Sequence, residues 1–84
     1  MKLVKTGEKD DKIILKNDDG LTALFTFLDL LIYEGREYAV IADENDDAYI
    51  MAFAEGKNGR ETYTEITDDA LYDTLVEMFE SEEE

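Results

Sequence analysis

The sequence predicts an α+β domain, in which an antiparallel β-meander of about five short strands is followed by one C-terminal helix packed on the sheet. Short segments rich in β-branched and aromatic residues alternate with turn signals, which is typical of strands. The connections between these segments are too short for parallel crossovers and favour hairpins. Only the last segment repeats its apolar residues at helical spacing without fitting a strand as well.

The beginning of the chain carries little apolar pattern. Residues 1–11 are polar and lack periodicity, which indicates a flexible N-terminal segment. In the run from Lys12 to Lys16, the β-branched Ile13 and Ile14 favour a strand, and the flanking lysines suit the edge of a sheet. A turn follows over residues 17–20, because Asx residues and glycine are the preferred turn formers.

The segment 21–33 fits two secondary structures. Four of its apolar residues fall at helical spacing: Leu24, Phe27, Leu28 and Leu31. Alternation over residues 21–27 fits a strand equally well, so periodicity does not decide. The threonine, phenylalanine, isoleucine and tyrosine content favours a strand, with a bulge or break at Asp29.

Three further strands are predicted after this segment. Residues 37–42 form a compact run of apolar types, and residues 48–55 are apolar on both alternating faces, which is typical of a central strand. Residues 60–66 alternate threonine and tyrosine with charged side chains. Glycines at the intervening turns support hairpin connections.

The last segment predicts the helix. Thr67 is the expected N-cap, and Asp68 and Asp69 lie where the helix dipole favours negative charge. An apolar stripe repeats at helical spacing along Leu71, Leu75, Met78 and Phe79. We expect the helix to end near Phe79 or Glu80, so that residues 12–80 form a single domain and residues 81–84 an acidic, frayed tail.

Composition restricts the possible functions. The 84 residues include 8 basic and 23 acidic side chains, a net charge of −15, and residues 68–84 contain no basic residue. Such a field repels nucleic acid and anionic lipid, and complements a basic protein partner. The absence of cysteine and histidine removes disulfides, thiolate metal sites and the usual general base, so no cofactor is implied.

The loop 43–47 resembles part of a calcium-binding loop. Asp43, Asn45 and Asp47 match the first three side-chain ligand positions of an EF-hand. Ala48 and Ala54 stand where that motif requires glycine and glutamate, and the flanking segments are predicted strands. A weak divalent-cation site in this loop is therefore an alternative function, and an enzyme that uses paired carboxylates is a more remote one.

Four tyrosines are candidates for an interaction surface. Exposed tyrosines anchor many protein interfaces, whereas tyrosines in sheets are more often half-buried with the hydroxyl reaching water. Both interpretations remain open from the sequence. The four residues are Tyr33, Tyr38, Tyr49 and Tyr63.

Two segments carry a resemblance to a known family. Residues 28–40 read L-D-x-x-x-Y-x-G-R-E-Y-A-V, and residues 66–69 read I-T-D-D at the start of the helix. Over residues 12–80 the chain resembles the YrzB-like family of small acidic bacterial proteins, a domain of unknown function found mainly in Firmicutes. The resemblance implies a cytoplasmic bacterial protein with no catalytic residues to carry over. Tyr72 corresponds to a large aromatic residue early in the last helix of that family.

Together these observations predict a non-enzymatic protein-interaction module that offers an acidic surface to a basic partner. We expect no direct binding to nucleic acid or membranes, and a monomer or weak homodimer. The longest apolar run is far shorter than a membrane span, and no apolar leader follows the first residues, so a cytoplasmic location is expected.

Overall fold

Six strands precede one helix in the computed structural model, which describes residues 2–82 of the chain. The elements are β1 (Lys2–Lys9), β2 (Lys12–Lys16), β3 (Thr22–Tyr33), β4 (Arg36–Ala42), β5 (Ala48–Glu55), β6 (Glu61–Glu65) and α1 (Asp69–Glu82). All strand pairs are antiparallel and follow the order of the chain, so the predicted α+β meander with a C-terminal helix is confirmed. The strand count is six, one more than predicted.

The additional strand lies at the N-terminus. Residues 2–9, which were predicted to be a flexible segment, form β1 and pair with β2 from Val4 to Lys9. The apolar alternation typical of a strand is not visible in this sequence, because Lys5 lies opposite the buried Leu15, where an apolar residue would be expected. Glu8 Oε1 at 2.6 Å and Glu61 Oε2 at 3.7 Å from Lys5 Nζ compensate this charge.

Pairing between the first and last strands closes the sheet into a barrel. Leu3 of β1 lies opposite Tyr63 of β6, with one further pair on either side. The predicted edge position of β2 is wrong, because β2 lies between β1 and β3. Closure satisfies the backbone groups that an open meander would leave unpaired at its two outer strands.

The strand prediction for residues 22–33 is confirmed. Residues Thr22 to Thr26 of β3 pair with β2, and residues Thr26 to Tyr33 pair with β4. The register shifts between Phe27 and Asp29, which is the bulge predicted at Asp29. A bulge bends a strand and increases its twist, so β3 turns from one neighbour to the next at this point.

Buried side chains form two layers. The barrel cluster fills the interior of the sheet with Leu3, Ile13, Leu15, Ala39, Ile41, Met51 and Tyr63. The helix cluster lies between the outer face of the sheet and α1, and it contains Leu31, Tyr38, Val40, Ile50 and Leu75. The predicted apolar stripe of α1 is confirmed, because Leu71, Met78 and Phe79 also pack against the helix cluster.

The helix begins and ends later than predicted. Oδ1 of Asp68 accepts the backbone N–H groups of Ala70 at 3.0 Å and Leu71 at 3.2 Å, so Asp68 is the N-cap in place of Thr67. The helix continues through Glu82, beyond the predicted end near Glu80. Of the predicted acidic tail, residues 83–84 lie outside the described residues.

No helix within residues 2–82 is long and apolar enough to cross a membrane.

Leu75→Ala tests the contribution of the helix layer. Leu75 is fully buried, and deleting a buried leucine side chain costs about 2–5 kcal/mol. We expect the free energy of unfolding to fall by that amount in urea denaturation, whereas Glu77→Ala on the exposed face of α1 should not lower it. Equal stability of the two variants would mean that α1 does not pack as described.

Candidate interaction surface

The loop between β4 and β5 is ordered by one carboxylate. Oδ1 of Asp43 accepts the backbone N–H groups of Asn45 at 2.9 Å and Asp47 at 3.0 Å. Its Oδ2 accepts the hydroxyl hydrogen of Tyr49 at 3.1 Å. Asp43 therefore builds the loop in the manner of an Asx turn, holding a tight connection that includes Asp46 at φ 66°.

These contacts shift both partners' ionisation. Desolvation opposes the charge of Asp43, but the hydrogen bonds from Asp47, Asn45 and Tyr49 outweigh it and hold the carboxyl pKa below its ordinary value of 3.8. The pKa of Tyr49 is raised, first by its hydrogen bond to Asp43 and then by the negative charge of that carboxylate. Asp43 therefore stays ionised as part of the loop's structure.

The geometry gives the divalent-cation alternative no support. Of the three candidate ligands, Asp43 already uses both carboxylate oxygens as acceptors, Oδ1 for the backbone N–H groups of Asn45 and Asp47 and Oδ2 for the hydroxyl of Tyr49 in β5. Over the described chain, residues 2–82, no three histidine, cysteine or acidic side chains come together in a metal-holding arrangement.

The four candidate tyrosines lie in different environments. Tyr63 is fully buried in the barrel, with its ring 5.3 Å from that of Phe53 and its hydroxyl donating to Glu61. Tyr38 is buried beneath α1, and Tyr33 packs partly buried against the same cluster. Tyr49 is 43% exposed, so it alone of the four presents much of its side chain to a partner.

A cavity of about 450 Å³ lies between residues 43–47, here called the acidic loop, and the start of α1. Its walls include Ile41 and Met51 of the barrel, and Asp43, Tyr49 and Tyr72 also line it. The hydroxyl of Tyr72 accepts the backbone N–H of Ile50 at 3.3 Å, one residue beyond the last β5–β6 pair. The Tyr72 hydroxyl thus satisfies the backbone N–H of Ile50 where the β5–β6 pairing has ended.

The outer face of α1 is a row of carboxylates, here called the acidic ridge. Its members are exposed and spaced by four, four and three residues, which places them on one side of a helix. They are Asp69, Asp73, Glu77 and Glu80. The helix contains no basic residue, and the ion pairs found within residues 2–82 join Lys5 to Glu8 and Glu61, away from the ridge.

Comparison with known protein families identifies the family of this chain. The family model described as "Protein of unknown function (DUF1292)" matches residues 18–84. The chain belongs to this family. The resemblance to a family of small bacterial proteins of unknown function, which the sequence carries, is thereby confirmed.

Individual relatives are similar over nearly their whole length. A UPF0473 protein of Alkaliphilus oremlandii is 33% identical over 78 residues, covering 88% of this chain and 91% of the relative. A UPF0473 protein of Heliobacterium modesticaldum is 32% identical over 76 residues, covering 87% and 85%. No solved structure matches the chain significantly.

Two features of this surface were not predicted from the sequence. The spacing of Asp73, Glu77 and Glu80 was readable as one helix face, but the acidic residues were considered only as net charge and tail. The contact of Tyr72 with Ile50 joins residues 22 positions apart, so no local pattern could indicate it.

Tyr49→Phe tests the carboxylate that orders the loop. Removing one of three hydrogen bonds should raise the pKa of Asp43 toward 3.8, measured by ¹³C NMR titration of its carboxyl group. Because the folded pKa is depressed, the stabilisation of the loop is complete above 3.8 and is lost as the pH falls through the lower folded value. In the variant this loss should be smaller and should be complete at a higher pH, because the folded pKa lies closer to 3.8.

Tyr33→Phe is the matched control, because Tyr33 lies on β3 against the helix cluster. Its Asp43 titration should equal that of the wild type. An unshifted Asp43 titration in Tyr49→Phe would contradict the assigned role of the hydroxyl.

Proposed function

We propose that this chain is a non-enzymatic interaction module whose acidic ridge binds a basic protein partner. The observation that carries the proposal is the alignment of four exposed carboxylates on one face of α1, with no basic residue in the helix to neutralise them. By helix geometry, Asp69 and Glu80 lie about 16 Å apart along the axis. A partner would present several lysines or arginines over that length.

The fold does not need the last three carboxylates of the ridge. Asp73 and Glu77 are like charges at i and i+4, and Glu80 lies three residues further, so these neighbours repel one another. Glu80 also lies near the negative end of the helix dipole, where a carboxylate is unfavourable. A basic partner would relieve both costs, which supports binding as the role of these side chains.

The acidic loop, residues 43–47, lies near the start of α1. Asp43 and Tyr72 line one cavity, so the loop borders the first turns of α1. Glu44 and Asp46 are exposed beside it and add charge of the same sign. Opposite charges steer association and are screened by salt, so we expect binding to weaken as ionic strength rises.

Neutralising the ridge should change stability and binding in opposite directions. In Asp73→Asn/Glu77→Gln/Glu80→Gln, relief of helix repulsion should raise the melting temperature by about 2–5 °C. The tagged full-length variant should lose salt-sensitive partners that the wild type captures from lysate of its own host at low salt. Thermal denaturation and quantitative mass spectrometry measure the two effects.

A control variant of equal net charge separates the ridge from general acidity. Asp18→Asn/Asp19→Asn/Glu55→Gln removes three exposed carboxylates away from α1, two from the loop between β2 and β3 and one from the end of β5. It should retain the captured partners. Equal capture by both triple variants and the wild type would refute the ridge as the binding surface.

A further inference from the structure

The second half of β3 has one unpaired edge. The β2–β3 ladder ends at the pair Lys12–Thr26, where the β1–β2 turn begins. From Asp29 to Tyr33, β3 pairs with β4 on its other side. Among the strands of residues 2–82, no pairing partner lies along the free edge of this stretch.

Backbone hydrogen bonding identifies the groups on this edge. The N–H of Leu30 donates to Asp29 Oδ1 at 2.8 Å instead of to a strand. Tyr33 and Arg36 flank the two-residue turn to β4, in which Glu34 and Gly35 have φ of 52° and 78°, as in a type I′ hairpin. Because backbone groups alternate along an antiparallel strand, the N–H of Ile32 points to the free edge together with that of Leu30.

The side chains along the edge are apolar and exposed. Leu28 is 46% exposed, Leu30 37% and Ile32 65%. Proteins usually protect such an edge with charge, bulges or a covering element, because it is a template for pairing with another chain. Here the protection amounts to the bulge and the Asp29 carboxylate that occupies one donor.

A groove adjoins the edge at the end of the barrel. Its volume is about 440 Å³, and its walls include the apolar side chains of Phe27 and Leu30. Asp10 and Asp11, in the turn from which β2 starts, lie on the same groove. A strand added beside residues 28–32 would lie in line with β2 and bring one end close to these two carboxylates.

We infer that an extended segment of the basic partner adds to the sheet along Leu28–Ile32, with alternating apolar residues and lysines or arginines. This inference rests on the proposed function and specifies how the partner is held. Charge selects the occupant, because acidic groups outnumber basic ones at the site. Asp10, Asp11 and Asp29 border it, whereas the groove's two lysines are Lys12 and Lys5, and Lys5 is paired with Glu8 and Glu61. A second copy of the chain would instead bring together two Asp29 carboxylates and two chains of charge −15.

Strand addition exchanges one acceptor for another. A backbone carbonyl of the incoming segment accepts the N–H of Leu30 in place of Asp29 Oδ1, and a second carbonyl accepts that of Ile32. The released Asp29 carboxylate is then available to a lysine of the segment. Backbone bonds supply the alignment, and the exposed leucines and isoleucine supply apolar contact.

A defined peptide tests the inference without the natural partner. The probe is a nine-residue peptide of alternating lysine and valine, titrated into ¹⁵N-labelled full-length protein at low salt. Its matched control carries N-methyl groups on alternate residues, which removes hydrogen-bond donors and blocks pairing while keeping charge and side chains. We expect amide shifts at Leu28–Ile32, and affinity at least about tenfold lower for the methylated peptide.

The protein variant Ile32→Pro removes one edge donor without removing a ladder bond, since proline is tolerated at sheet edges. Ile32→Thr retains that donor and is its control. Unchanged amide signals of Ile50 and Leu75 confirm that both variants are folded. Ile32→Pro should bind the peptide about tenfold more weakly than Ile32→Thr.

The outcomes separate this inference from the proposed function. Equal binding of both peptides, with shifts on α1 and none at residues 28–32, would overturn strand addition and leave the acidic ridge as the binding surface. Equal capture by the ridge variant and the wild type, together with methylation-sensitive binding at the edge, would refute the acidic ridge and leave strand addition standing. A wild-type dimer that Ile32→Pro converts to monomer would assign the edge to a second copy and overturn the inference.

Discussion

Burial of β4 on both faces is the constraint on which the rest of the structure depends. Its residues from Tyr38 to Ala42 are all buried. Ala39 and Ile41 face the barrel cluster, whereas Tyr38 and Val40 lie in the helix cluster. One strand therefore contributes to both apolar layers, and the barrel and α1 share a single core in which neither layer is complete without the other.

This shared core determines where charged side chains can lie. With both layers formed by apolar side chains, no buried charged residue is present in the described part of the chain. The four carboxylates of the acidic ridge consequently lie on the outer face of α1. Lys5, which lies opposite the buried Leu15, is paired with Glu8 and Glu61. The chain has 8 basic side chains against 23 acidic ones, so most surface carboxylates are not neutralised and the molecule carries a strong negative electrostatic field.

Much of the secondary structure was predictable because its determinants are local. Glycine at position 35 adopts φ 78°, and the alternation of residues 48–55 matches a strand with two apolar faces. The N-cap was misplaced by one residue, because Thr67 and Asp68 are adjacent and have similar capping chemistry. β1 escaped prediction because Lys5 interrupts its apolar pattern.

Local chemistry alone specifies the hairpins, the amphipathic helix and the excess of acid, since each depends on neighbouring residues and composition. The tertiary structure decided the closure of β1 on β6, the burial of Tyr38 and Tyr63 with exposure of Tyr49, and the free edge of β3. A period of two assigns a side chain to a face of its strand, but it does not name the neighbouring strand or the point where pairing stops. Those depend on contacts between residues far apart in the chain.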